Sequence, residues 1–442
     1  MNLDSALFLQ IRNSQFTIRD SAPFLQIRDS QFAIRDSAAF RRNKMYNIRI
    51  LNIAKEADAI HEMQRMNVDP QGINLMSPKA VDNVIKLENV PLKCALILKQ
   101  ELLARGGEVA LSKGAIDLSV ETTDVLLIGT HSQYHKLTLK LRQQYFNLSK
   151  LSERIEDALK RFEHSSWIIQ CGVHKLEAGK KTLIMGILNI TPDSFSDGGS
   201  FLSAVDAIDQ AKRMQDEGAD IIDIGGESTR PGAELVTIED EKSRVMPIIE
   251  KLQSLNIPIS IDTYKSAVAD AALSAGACMV NDISGLRFDP EMSNVAAQHR
   301  AAIVIMHIKG NPRSMQDNPQ YKDVLGEITS YIKEGVDIAV NAGIPEQSII
   351  VDPGIGFGKT VEHNLHILRN LSELKIFGLP ILIGTSRKSL IGDILSLPFH
   401  ERVEGTAATV AVSIMNGARI IRVHDVQTMS MVAKMTDAII RG

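Results

Sequence analysis

Residues 172–442 of this 442-residue chain are predicted to form a closed (β/α)8 barrel of the TIM type, an α/β fold, with a smaller α+β domain over residues 45–165 in front of it. Three observations predict the barrel. The section carries eight short, continuous apolar runs, the pattern of parallel strands buried on both faces. Most of these runs lead into an amphipathic helical stretch. The section spans about 270 residues, close to the ~250 that eight βα units occupy, which favours closure over an open sheet.

In chain order, the first feature is a tandem repeat: Asp4 to Arg19 recurs as Asp20 to Arg35, and a third copy begins at Asp36. Its period is shorter than the ~20–50-residue units from which repeat architectures are built. Amphipathic strands or a binding arm are one reading of residues 1–44. The favoured reading is a duplicated upstream stretch read through from an early start, with Met45 the expected start and residues 1–44 poorly ordered. Strand-like runs at Asn47–Ile53 and Val125–Ile128, among helical ones such as Leu92–Arg105, then predict the α+β domain. His131 and His135 stand four apart, but Ser132 occupies the glutamate position of an HExxH site, so both are expected to be solvated helix residues. Leu151, Ile155, Leu159 and Phe162 mark one face of a charged connector helix.

The eight predicted barrel strands are Leu183–Leu188, Asp220–Ile224, Pro258–Ile261, Met279–Asn281, Ala302–Met306, Ile349–Val351, Pro380–Ile383 and Arg419–Val423. Helices are predicted over Ser203–Glu217, with Val205, Ile208 and Met214 inward, and over Val361–Leu371.

Composition narrows the function. Lys and Arg number 49 against 53 Asp and Glu, so the chain lacks the basic excess of a nucleic-acid binder and small polar ligands are expected. Cys94, Cys171 and Cys278 are odd in number, far apart and without CxxC spacing, which signals neither a disulfide framework nor a structural zinc site and fits a reducing compartment. No apolar run approaches the ~18 residues of a membrane span, and no secretory leader is evident. A cytoplasmic location is expected.

Functional side chains of such barrels lie at the carboxyl ends of the strands and in the loops that follow. All eight ends are polar here. Strand one leads to Asn189, two to Thr229 and Arg230, three to Asp262, four to Asn281 and Asp282, five to His307, six to Asp352, seven to Ser386, Arg387 and Lys388, and eight to Arg422 and His424. Each carboxylate alone reads equally well as a helix cap. Eight polar ends converging on one mouth exceed what folding requires.

These residues form two chemical sets. Asp262, Asn281, Asp352 and Lys388 supply acceptors, a two-sided amide and a cation, suited to the edge of a flat heterocycle with amino, ring N–H and carbonyl groups. Arg230, Arg422, His424 and the glycine-rich loop amides suit phosphates, with Asn189 as an oxygen ligand for a Mg2+ that keeps most of its waters. A heterocycle bearing a phosphate ester is the expected substrate. No nucleophile or Ser/His/Asp arrangement is visible, so the site must act by positioning and electrostatics, as when diphosphate leaves and a neutral amine attacks. The stretch Gly354–Thr360 imitates a Walker A loop, but Pro353 stands where its first glycine belongs and the spacing is one residue short.

Taken in order, MGILNITPDSFSDGG, GGESTRPG, ISIDTYK, NDISG, DPGIGFGK, TSRKS and RVHD closely resemble the dihydropteroate synthase family, over roughly Lys175 to Gly442. The resemblance implies a TIM barrel that joins a dihydropterin diphosphate to 4-aminobenzoate in a Mg2+-dependent, SN1-like step and releases diphosphate. It implies that Asn189 helps bind Mg2+, and that Thr229, Arg422 and His424 hold the diphosphate-bearing substrate. Asp262, Asn281, Asp352 and Lys388 would read the pterin. Arg230, Pro231, Phe357, Ser386 and Arg387 would line the 4-aminobenzoate site, where sulfonamides compete. Asp262, Lys388 and Arg230 are then the expected catalytic residues, and a homodimer through barrel helices the expected assembly. The barrel motifs show no departure from the family pattern, whereas residues 1 to about 170 lie outside it.

Two other readings compete: a pterin-dependent methyltransferase, which has no use for a diphosphate pocket, and a catalytically silent pterin-binding protein, which would be free to lose Asn189, Arg230 and Lys388. If residues 1–44 are a spurious extension, their deletion is expected to leave turnover intact. A loss beyond about tenfold, ~1.4 kcal/mol on the barrier, in a steady-state assay contradicts that.

Overall fold

The computed structural model describes residues 48–190, 204–229 and 233–441; the tandem repeat of residues 1–44 lies outside them. Residues 48–54 have no regular structure, so the strand expected at Asn47–Ile53 is not formed over its described part. Local β-propensity does not hold a strand that no neighbour pairs with. Met1–Asn52 separates as one unit from a second, Ile53–Gly442.

The second unit begins with an antiparallel sheet of β1 (Asp82–Pro91), β2 (Glu108–Leu111) and β3 (Thr122–Thr130), in the order β1-β3-β2. Its inner face buries Val125 and Leu127 against Leu98, Leu102, Tyr134 and Leu137 of two helices. His131 is half-buried, with Nε2 2.6 Å from Asn83 Nδ2 and Nδ1 3.1 Å from Glu163, so it ties elements together and is not simply solvated. The connector helix, Leu148–Glu163, buries Ile155 in this core and sends Arg161 to the Phe377 carbonyl at 2.8 Å and Phe162 beneath Lys375. Lys86 adds an ion pair with Asp323 at 2.9 Å. The α+β lobe and the barrel thus pack as one body.

A hairpin of β4 (Trp167–Cys171) and β5 (His174–Ala178) follows. Ile169, Cys171, Leu176 and Ala178 share one apolar cluster with the inward residues Leu183, Met185, Ile221, Met279 and Val304, so the hairpin closes the barrel floor. Here the cysteine expectation is corrected: Cys171 and Cys278 are disulfide-bonded, with Cα atoms 5.1 Å apart, and Cys94 alone is free. The two lie 107 positions apart and meet only because the hairpin folds under the strand.

The barrel strands are β6 (Leu183–Asn189), β7 (Ile221–Gly225), β8 (Ile259–Asp262), β9 (Met279–Asp282), β10 (Ala302–Met306), β11 (Ile349–Asp352), β12 (Ile381–Ile383) and β13 (Ala418–Val423). They close in sequence order, β13 pairing with β6, every ladder parallel. All eight expected strands are present with ends shifted by at most one residue, and the residue gained at the carboxyl end is often a polar one: Asn189, Asp262, Asp282, Asp352. Outward apolar side chains meet the surrounding helices, three of which have a side-chain N-cap. Thr237 accepts from Asp240 N, Asp323 from Gly326 N and Thr360 from His363 N. In the helix Ala204–Asp216 the inward residues are Ala207, Ala211 and Met214, whereas Val205 is 60% exposed, against expectation. The i, i+4, i+7 series, joined by the partly buried Ile208 as expected, faces the strands, and Val205 lies off that face.

Candidate active site

The polar strand ends occupy one rim, and side-chain alternation decides which of them point inward. Arg422, on β13, lies at the centre. Its Nε donates to Asp223 at 2.6 Å and its Nη2 to Asp262 at 2.5 Å, so one guanidinium joins three strands. Asn281 on β9 donates its amide to the same Asp223 oxygen at 3.1 Å. Burial pushes the Asp262 carboxyl up to about 7 despite the Arg422 charge, while the two aspartates hold the Arg422 guanidinium protonated.

Asp223 was not among the expected residues. It is fully buried in the middle of β7, and a lone carboxylate inside an apolar run is itself the signal that a partner exists. Its Oδ1 and the Ser260 hydroxyl, register neighbours on β7 and β8, have no hydrogen-bond partner among the described residues. The floor of the rim therefore offers free polar atoms.

Asp352, at the end of β11, accepts from Gly354 N at 2.7 Å, and burial raises its carboxyl above the usual range. Gly354 has φ +67°, and a Cβ there would land on the His307 carbonyl oxygen, so only glycine fits this turn. Lys388 follows β12; its ammonium donates to the Ile355 carbonyl and sits 4.8 Å from the centre of the half-buried Phe357 ring. Burial lowers its pKa to about 8, against the pull of Asp352. Ser386 Oγ lies 2.9 Å from His424 Nδ1 and accepts from His424 N at 3.1 Å, locking the ends of β12 and β13 together. Asp262, Asn281, Asp352, Lys388, Arg422, Ser386 and His424 thus converge.

The remaining expected residues fare differently. Arg387, expected to line the site, is a left-handed residue (φ +55°) whose guanidinium forks onto Asp425. It ties the loop after β12 to the loop after β13. Asp282 accepts from Ser284 N at 2.8 Å and Leu286 N at 2.7 Å, a turn-holding role. Thr229 is described and half-buried, whereas Arg230 and Pro231 lie outside the described residues. Among the described residues, Lys265 donates to Glu227 at 2.8 Å, Glu241 at 2.6 Å and the Val236 carbonyl at 2.6 Å. Beside Thr229 a cavity of about 370 Å3 opens between Tyr264, Phe288 and Arg313, none of which the sequence had marked.

Among the described residues no group of three His, Cys, Asp or Glu stands ready to hold a metal ion. The Asn189 carboxamide ends β6 beside Gly225, where a Cβ would lie 3.4 Å from Asn189 Oδ1 and 3.8 Å from Asp262 Oδ2. One amide oxygen at the strand end fits an ion that draws its other ligands from substrate and water.

A family model described as "Pterin binding enzyme" matches residues 185–424. The chain is similar to a dihydropteroate synthase of Synechocystis sp., 56% identical over 265 residues, 60% of this chain and 92% of that protein. A probable bifunctional folylpolyglutamate synthase/dihydropteroate synthase of Halobacterium salinarum is 39% identical over 388 residues, 86% of this chain and 46% of that protein. A crystal structure of dihydropteroate synthase from Clostridium difficile, determined in the presence of pteroic acid, covers 60% of this chain and 99% of its own, with TM-score 0.57 and 51% identity.

Proposed function

The chain belongs to the pterin-binding enzyme family, and from that premise we propose that it carries out the dihydropteroate synthase reaction of folate biosynthesis. It condenses 6-hydroxymethyl-7,8-dihydropterin diphosphate with 4-aminobenzoate, giving 7,8-dihydropteroate and diphosphate. One observation carries the reading: Asp262, Asn281, Asp352 and Lys388 share a buried rim with Arg422, on a barrel half identical in sequence to a synthase crystallised with pteroic acid. Pteroic acid is itself a pterin joined through a methylene to 4-aminobenzoate.

In this reading Asp352 and Asn281 take the amino and ring N–H edge of the pterin, and Lys388 donates to its carbonyl side. Arg422, Thr229 and His424 face the diphosphate, with Ser386 holding the His424 ring. Diphosphate departs first, and the electron-rich pterin spreads the positive charge on its methylene. The buried carboxylates of Asp223 and Asp352, with the part-buried Asp262, stabilise that charge without reorganising. The arylamine, met by Phe357 and by Arg230 and Pro231, then forms the C–N bond to the methylene and loses one N–H proton to the released diphosphate or to water, and no protein nucleophile is needed. Asn189 would hold Mg2+ with the diphosphate, where the ion neutralises the leaving group. Arg387 acts by bracing the loop through Asp425.

Assembly as a homodimer through barrel helices belongs to the same proposal. Its support is the exposed apolar series Met415, Met431, Met435 and Ile439 on the last two helices. No helix among the described residues is long and apolar enough to cross a membrane. A cytoplasmic location is proposed from the folate-precursor chemistry; the Cys171–Cys278 bond withdraws the support that three free thiols would have lent.

The deciding experiment is 4-aminobenzoate-dependent diphosphate release by the purified chain with Mg2+. Methyl transfer from methyl-tetrahydrofolate without diphosphate release reverses the choice. The pH profile follows from two groups. Asp262 carries its negative charge only above its carboxyl pKa of about 7, and Lys388 is a cation only below about 8. kcat/KM for the pterin substrate is therefore expected to fall on both sides of a narrow optimum between these values. A flat profile from about pH 6 to 9 contradicts these assignments.

A further inference from the structure

The Walker-like stretch GIGFGKT has a different role from the one its letters suggest. Between β11 and the helix Val361–Arg369, four successive carbonyls are each taken by a side chain. Ile355 O accepts from Lys388, Gly356 O from Gln316 at 2.6 Å, Phe357 O from Lys359 at 2.9 Å, and Gly358 O from the Tyr321 hydroxyl at 2.8 Å. Gly356 N donates to Asn364 at 2.8 Å. A loop bound at every carbonyl has one conformation.

Lys359 is the least expected of these donors. It is 3% exposed and turned into the protein, with Nζ 2.8 Å from His307 Nδ1 and 3.5 Å from the His307 carbonyl. A phosphate at the mouth does not meet it. His307, at the end of strand five, is 4% exposed with Tyr331 edge-on at 4.7 Å. Burial and the neighbouring lysine drive the His307 ring down to about 2, so it is neutral and offers Nδ1 as an acceptor. Burial likewise pushes the Lys359 amine well below its ordinary value. The pair links the end of β10 to the Phe357 carbonyl, and Phe357 presents its ring to the Lys388 ammonium.

We propose that Lys359 and His307 are positioning residues for the arylamine half of the reaction: the buried amine–imidazole pair fixes the loop so that the Phe357 wall is set before 4-aminobenzoate arrives. The inference rests on the function proposed above and deepens it. Neither residue touches substrate; both act through Phe357.

The test uses the full chain and three variants, Lys359→Met, His307→Leu and His307→Asn. Asn places its carbonyl oxygen near the position of Nδ1 and so keeps an acceptor for Lys359. Lys359→Met and His307→Leu are expected to raise KM for 4-aminobenzoate about tenfold or more, and to leave the Kd for dihydropterin diphosphate within about threefold. His307→Asn is expected to bring KM back to within about threefold of wild type. An unchanged KM in Lys359→Met overturns the proposal, as does equal impairment of His307→Asn and His307→Leu, which would show that volume and not the acceptor matters. If Lys359→Met fails to fold, the two His307 variants decide alone. If the unaltered chain releases no diphosphate, the functional reading and this inference both fall; normal turnover with no KM split removes the inference only.

Discussion

Lys388→Ala is expected to lower kcat by about a thousandfold or more while the barrel stays folded. Three features set that size. The ammonium is buried at the rim, where its attraction to substrate is little screened. It is preorganised, held by the Ile355 carbonyl and above the Phe357 ring, so it meets the pterin carbonyl and fixes the ring without rearrangement. It also opposes Asp352, whose carboxyl would lose its largest compensating charge. Removing one preorganised donor at a reacting centre costs ~3–4 kcal/mol in the transition state, which appears in kcat. The folded state loses less, because Asp352 keeps the Gly354 N–H and Arg422 remains nearby. Steady-state diphosphate release checks the rate and a thermal melt checks the fold. A kcat within about tenfold of wild type removes Lys388 from the chemistry.

The barrel was legible because burial on both faces keeps polar residues sparse within the strands and gathers them at the ends, so the run and its terminus are both written in the sequence. The same feature exposed Asn189, Asp262 and Asp352. β1 and β2 were missed for the opposite reason: one face of their sheet is open, and it carries Val84 and Ile128 among charged residues, which blurs the period-two pattern. Asp223 lies in mid-strand and not at a strand end, yet a carboxylate among isoleucines marks a buried ion pair. Arg387 sits in the same short motif as Lys388, yet its left-handed backbone turns it to Asp425, which adjacency in sequence does not reveal. The Cys171–Cys278 bond, like the Lys359–His307 pair, depends on tertiary approach of elements far apart in the chain.

Arg422→Met has the largest expected effect on stability, and its size depends on pH. The substitution roughly keeps volume but removes the cation shared by Asp223 and Asp262, leaving two carboxylates close together in the barrel interior. A cost of ~3–5 kcal/mol is expected at pH 8. Asp262 already titrates at about 7 because burial outweighs Arg422; without Arg422 its folded pKa rises further above the ~3.9 of the unfolded chain. The folded variant then binds a proton more tightly than the unfolded one. Lowering the pH through the folded pKa therefore restores stability, and the recovery is complete only below the unfolded value. In urea titrations the gap between variant and wild type should be widest above pH 8 and narrow by more than ~1 kcal/mol by pH 5.5. A second change, Asp223→Asn, removes one of the stranded charges and should narrow the gap at pH 8 as well. A gap that is the same at both pH values would mean that Arg422 contributes by packing alone and that the two aspartates are not electrostatically dependent on it.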